Sequence, residues 1–159
     1  MFKHVGLLAF CLILCISVLS YERGWRGIVP MRSTRADVEK LLGPSVEEGY
    51  GVTYDLGNEA VTFEYSSGPC TKGKINGWNV PENTVIRIRV SSTEKPRFSD
   101  LNIDKKKFER IEDSELLDVL YYTNRAEGIT YEVQDGVVTT IEYAPAAKDE
   151  SLYCANRSG

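Results

Sequence analysis

Apolar and polar residues exchange places one by one in several stretches of this chain, and that period constrains the fold more than any other feature. Val61, Phe63 and Tyr65 alternate with Thr62 and Glu64. Successive side chains of a strand point to opposite faces, so this run has one apolar and one polar side. In "TVIRIRVSS", Ile86, Ile88 and Val90 fall on one side, with Val85, Arg87 and Arg89 on the other. Residues 50 to 56 and 60 to 66 flank "GNE", which signals a hairpin. A second hairpin, "GITYEVQDGVVTTIEY", turns at Asp135-Gly136. Residues 119 to 123 are strand-like, and Tyr121 and Tyr122 would then take opposite faces. "KKFERIED" fits either a strand or a short helix, and the tail from Ala146 reads as irregular.

One helix stands out. In "STRADVEKLLGPS", Thr34 caps the first turn and Asp37 completes a capping-box pattern. Val38, Leu41 and Leu42 form one apolar stripe, Gly43 supplies a left-handed stop and Pro44 forbids continuation. So short a helix is unstable alone and must dock on the sheet. Trp25 and Ile28, in the linker before it, can tuck against the same domain. The fold class is α+β: a mostly antiparallel sheet with one short capped N-terminal helix.

The two hairpins echo each other. Tyr54 matches Tyr131, Asp55 matches Glu132, and Glu64-Tyr65 matches Glu142-Tyr143 with one residue inserted. Tandem helix/hairpin repeats, with halves 28-92 and 100-154 and a polar seam at "STEKPRFSDLN", account for this. Convergence accounts for it equally, because β-branched and aromatic residues suit any half-buried pleat.

The first twenty residues have a basic start (Lys3, His4), an apolar run from Val5 to Leu19 and a small residue, Ser20, before Tyr21. That is the layout of a cleaved signal peptide, with an uncleaved anchor as the alternative, and the run is short of the roughly 20 residues of a spanning helix. Residues 21-159 are then one domain, with no membrane span after cleavage. Cleavage removes the single histidine, His4, together with Cys11 and Cys15, and takes the net charge of −4 one unit lower. Cys70 and Cys154 remain. In an exported chain a lone pair reads as a disulfide, with separate thiols or a crosslink between chains as the alternatives. A loop of this length would stabilise by roughly 4 to 5 kcal/mol on the chain-entropy account.

These residues exclude several chemistries. Without histidine the exported chain builds no Ser-His-Asp triad or Cys-His pair and lacks the usual zinc ligand. It has no P-loop and no Cys-x-x-Cys. An acidic balance is wrong for nucleic acid, and no polybasic run addresses anionic lipid. No cofactor or metal is expected. Carboxylate pairs, Glu112 with Glu115 or Glu132 with Glu142, are formal acid/base candidates, against a plain solvated role. Arg87 and Arg89 can grip an anionic ligand or a partner carboxylate, or pair across the sheet with Glu64 or another acid. Trp78, in the longest loop, is an interface anchor or a plug at the core's end. "NRS" at 156 to 158 fits a glycosylation acceptor.

The stretch "IVPMRSTRADVEKLLGPS" followed by "YGVTYDLGNEAVTFEYSSG" resembles the SmpA/OmlA (BamE-like) family. There a capped helix ending in a Val-x-x-Leu-Leu-Gly-x-Pro-like signature precedes a hairpin, matched here by Thr34, Val38, Leu41, Leu42 and Gly43, with Pro44 departing in that it follows the glycine directly. The same unit looks like the α+β repeat of β-lactamase-inhibitor-type proteins, in which two copies sit in tandem. The resemblance covers residues 28-66. Family members are typically lipoproteins, whereas Phe10 and Leu14, rather than small residues, precede Cys11 and Cys15 here.

The resulting expectation is an exported, non-catalytic binding or scaffolding module of the cell envelope, in the periplasm, outer envelope or extracellular space. Its partner would be another envelope or secreted protein, met through Trp78, Arg87 and Arg89. The alternatives are a secreted proteinaceous inhibitor of a hydrolase and, more remotely, a histidine-free carboxylate enzyme. Intact mass of the exported protein is expected to show cleavage after Ser20, no lipid, and Cys70 and Cys154 oxidised. An uncleaved chain, or two reactive thiols, would contradict this.

Overall fold

The computed structural model describes residues 23–45, 49–71, 77–113 and 118–154. The expected signal peptide, Glu115 and the expected acceptor at Asn156 lie outside these residues. The described chain is dominated by one seven-stranded sheet in which every pairing is antiparallel. Helix α1 (Arg35–Leu42) precedes β1 (Gly51–Asp55), β2 (Glu59–Tyr65) and β3 (Val85–Ser92). Two 3-10 turns, Phe98–Asp100 and Lys105–Lys107, lead to β4 (Glu109–Glu112), β5 (Val119–Asn124), β6 (Ile129–Gln134) and β7 (Val137–Tyr143). A last 3-10 turn, Ala147–Leu152, makes part of the tail regular.

The strand order is β1-β2-β3-β7-β6-β5-β4. Each half is a meander, and the halves join where their last strands meet. That seam pairs Ile88 with Tyr143, Arg89 with Glu142, Val90 with Ile141 and Ser91 with Thr140. The ambiguous "KKFERIED" resolves as the edge strand β4, and only its first two residues belong to the preceding 3-10 turn, Lys105–Lys107.

The hairpin turns fall where their residues demand. Gly57 has φ 84° between β1 and β2. Asp135 and Gly136, at φ 53° and 78°, make the two-residue turn between β6 and β7.

One face of the sheet carries the core, in two parts. The first joins Val38 of α1 and Trp25 and Ile28 of the N-terminal segment to Val52, Val61, Phe63, Val85, Ile88 and Val90. Trp25 and Tyr54 both meet Phe63 edge-on, with ring centroids 5.8 and 5.9 Å away. The second part gathers Ile129, Tyr131, Val133 and Val138 beneath Phe98, with Leu101, Ile103 and Phe108 packed around them. Phe98 stacks on Tyr122 at 3.9 Å. Ile141 and Tyr143, at the seam, touch both parts.

Three expectations are corrected. Leu41 is 46% exposed, because only Val38 and Leu42 (i and i+4) turn to the sheet. Gly43 has positive φ, 91°, but ψ 169°, so it ends α1 by an extended turn rather than a left-handed one, while its N–H still bonds Glu39 O. In β3, Val85 is fully buried and Ile86 is not. The register shifts there, with Glu64 opposite Arg87 and Tyr65 opposite Val85. A β-bulge of this kind moves one residue to the other face.

The cap of α1 is the one read from the sequence: the Thr34 N–H donates to Asp37 Oδ2 at 2.8 Å, and the Asp37 N–H to Thr34 Oγ1 at 3.4 Å. Thr34→Ala is expected to cost about 1 kcal/mol in denaturant unfolding. These hydrogen bonds, first the one from the Thr34 backbone, hold the Asp37 carboxyl below its usual range. Its contribution is therefore present above the unfolded pKa and lost as pH falls through the lowered folded value. Tyr65 behaves oppositely. Burial pushes its phenol up to about 12, and its hydroxyl has no hydrogen-bond partner among the described residues. Stability linked to Tyr65 is present below about pH 10, the ordinary tyrosine value, and lost as pH rises through the folded one. Tyr65→Phe is expected to be neutral or stabilising at pH 7 and to flatten the alkaline arm of the unfolding curve. A loss above about 1 kcal/mol at neutral pH would show that the hydroxyl has a partner.

Candidate functional site

The other face of the sheet is polar, and none of the elements just described packs on it. Across its centre runs a ladder of charge. Arg87 Nη1 donates to Glu64 Oε2 at 3.1 Å, tying β3 to β2. Arg87 Nε lies 3.5 Å from Glu142 Oε1, and Arg89 Nε donates to Glu142 Oε2 at 2.9 Å, tying β3 to β7. Glu64, Arg87, Glu142 and Arg89 thus form a chain of alternating sign across the seam between the halves. The hydrogen bond to Glu142 keeps the Arg89 guanidinium firmly charged, with its pKa raised. Arg89 is half exposed, so each pair contributes little stability, on the order of 0 to 1 kcal/mol. What the ladder does is hold long side chains in fixed places.

Threonines flank it. Thr53 and Thr62 bond through their hydroxyls at 2.9 Å on one side, and Thr123 and Thr130 at 3.1 Å on the other. Glu132 accepts from Thr139 Oγ1 at 2.7 Å. The Tyr121 hydroxyl donates to Asp113 Oδ2 at 3.3 Å. Burial, and then the Glu132 and Asp113 carboxylates, hold that phenol above its usual range.

The face has two recesses. One, of about 500 Å³, lies over the seam between Thr62, Arg89, Tyr121, Glu132 and Glu142. The other, of about 620 Å³, lies at the end of β2 and β3, where Tyr50, Glu64, Ile86 and Trp78 line it. Arg89 therefore belongs to the first recess and Trp78 to the second. Arg87 stands between Glu64 and Glu142, whose carboxylates line the second and first recess respectively.

Trp78 is held from behind. Its ring meets Tyr153 edge-on at 5.2 Å, and the two residues bridge antiparallel. The Asn79 N–H donates to Leu152 O at 2.7 Å and the Cys154 N–H to Gly77 O at 2.8 Å. Cys70 and Cys154 form a disulfide, with Cα atoms 5.6 Å apart. The start of the loop after β2, the segment around Trp78 and the tail are thus one fastened unit at the end of the open face. Trp78 is half-buried, partly plugging that end and partly facing the recess.

The carboxylate pairs fare differently. Glu132 and Glu142 share the seam recess, but Glu142 is engaged by two arginines. Glu112 lies on the exposed edge strand β4 and pairs with Arg110 at 2.9 Å. Among the described residues no group of His, Cys, Asp and Glu could hold a metal ion, and no helix is long and apolar enough to cross a membrane.

Sequence reasoning did not find Tyr50 or Tyr153, both exposed aromatics at the Trp78 end. Their signal, single tyrosines beside a strand and in a tail, is indistinguishable from ordinary core filling.

No family model and no curated protein matches this chain. A solved structure of a DUF4309 family protein (YjgB) from Bacillus subtilis is similar, with a TM-score of 0.48 and 14% sequence identity, covering 76% of this chain and 84% of that chain.

Reducing the disulfide, or Cys154→Ser, is expected to lower stability by up to roughly 4 to 5 kcal/mol, less whatever structure the unfolded chain retains. It should also release Trp78, read as a red shift in tryptophan emission. Arg89→Ala should change stability by no more than about 1 kcal/mol. Equal losses from the two variants would mean that the disulfide does not fasten this end.

Proposed function

We propose that the chain is an exported, non-catalytic binding module of the cell envelope, which engages another envelope or secreted protein through the open face of its sheet. The observation that carries this reading is the face itself. Its charged side chains are pre-positioned by cross-strand bonds, its recesses reach from the seam to Trp78, and no described element covers it. Side chains already fixed in place lose less entropy when a partner docks. Opposed charges in a fixed order favour one register of partner over another. Aromatic residues at one end supply the kind of anchor that dominates interface energetics. The signal-peptide layout, the disulfide and the resemblance of residues 28–66 to the SmpA/OmlA family support export to the envelope.

We read the sheet as two tandem meanders. The seam relates β1-β2-β3 to β5-β6-β7, with α1 over the first and the Phe98 turn over the second. The sequence echo aligns β1-β2 with β6-β7 instead, one strand out of step, so the tandem reading rests on strand order rather than on the echo. A second reading, a secreted inhibitor of a hydrolase, draws on the Trp78 end: a disulfide-fastened aromatic beside a broad face suits insertion into an enzyme cleft. It predicts a stoichiometric complex with one hydrolase, and a panel without inhibition would remove it.

The test is a photo-crosslinking residue placed at Thr62 or Thr140 on the face, or at Ala36 on α1, in the native host. The face positions are expected to give one discrete adduct that Arg89→Glu abolishes, and Ala36 none. Adducts that are the same from all three positions, or absent from the face, would sink the proposal.

A further inference from the structure

The core face has a gap. The two parts of the core are covered separately, the first by α1 and the Trp25 segment, the second by the Phe98 turn and the chain that follows. Between the covers, at the seam of β3 and β7, a crevice of about 520 Å³ remains open. Val90, Val138, Ile141 and Tyr143 line it, together with Trp25 and Pro96. Of these, Trp25, Val90 and Val138 are buried, so their positions are set by packing.

We infer that this crevice binds one small, uncharged, apolar molecule, of the size of one or two rings. Three observations carry the assignment. The volume falls in the range of small-molecule sites, about 300 to 1,000 Å³, and such sites are mostly apolar with a few polar groups at the mouth. The mouth is balanced in charge: Glu59 is paired with Arg26, and Glu94 lies beside Lys95. A rim of zero net charge offers no gain for desolvating an anion or a cation, so it selects a neutral occupant. The crevice is also recessed between its neighbours. Its floor lies below the covers on either side, where a small molecule reaches and a flat protein surface does not.

Trp25 gives the site its own reporter. The Trp25 indole N–H donates to Glu59 Oε2 at 3.3 Å, and Arg26 lies 4.7 Å from the ring centre, so the ring is fixed in the crevice. Trp25 and Trp78 are the two tryptophans of the chain, and Trp78→Phe leaves Trp25 as the one emitter.

The experiment uses this variant, recovered from the exported fraction, titrated with the neutral dye N-phenyl-1-naphthylamine and with the anionic 1-anilinonaphthalene-8-sulfonate. The neutral dye is expected to bind saturably at one site, quench Trp25, and bind at least about tenfold more tightly than the sulfonate. Ile141→Glu should weaken it by about tenfold or more. Should that variant fail to fold, Ser92→Phe at the rim fills the crevice from outside the core and should have the same effect. Non-saturable binding, equal affinity for the two dyes, or binding that survives Ser92→Phe would overturn the inference.

Discussion

Four residue pairs between β3 and β7 make two small meanders into one sheet. Neither half has a closed core alone: Ile141 and Tyr143 of β7 lean on both apolar clusters, and Val90 of β3 faces Ile141 across the joint. On the opposite side the same four pairs carry Arg89 and Glu142. The seam therefore joins the core on one face and organises the charge ladder on the other. A strand alternates its faces with period two, so a single register serves both. A slip of one residue would put Arg89 among the apolar clusters and Val90 in water.

Everything distinctive lies close to this joint or is fastened relative to it. The ladder reaches from Glu64 to Arg89 through shared carboxylates, and the seam recess sits over its Arg89 end. On the core face the separate covers fail to meet, and the crevice is what they leave. The disulfide acts further out, where it ties the loop after β2 to the tail, and backbone hydrogen bonds join the Trp78 segment to that tail, so the far end of the open face is fixed. The surface ion pairs of the ladder contribute little stability individually, whereas the disulfide contributes more. Their common effect is to place side chains rigidly on a sheet that would otherwise present mobile ones.

The elements were legible where local chemistry is strong. Thr34 and Asp37 announce a helix start because their side chains can satisfy backbone N–H groups that the helix leaves open. Asp135-Gly136 announces a turn because both positions need positive φ. Legibility failed where an outcome depends on a partner strand. Val85 and Ile86 are equally apolar, and only the bulge opposite Glu64 and Tyr65 decides which one is buried. Leu41 and Leu42 differ by one step of about 100° round the helix, and only the docking angle of α1 selects Leu42. The candidate site divides the same way. Arg87 and Arg89 were visible as the polar side of a strand, and Glu64 as a cross-strand partner. Glu142 as the shared acid was not, because it is 53 residues from Arg89.

By itself the sequence determined a mostly antiparallel sheet with little helix, the capped helix, the two hairpins, and two cysteines and no histidine after residue 20. These follow from periods, caps and turn residues, which act within a few residues of one another. The tertiary structure decided the order of the strands, the pairing of β3 with β7, and hence which acids meet which arginines. It also decided that the covers of the core stop short of each other. Such choices depend on contacts between residues far apart in the chain, and no local pattern encodes which of several amphipathic strands will lie beside which.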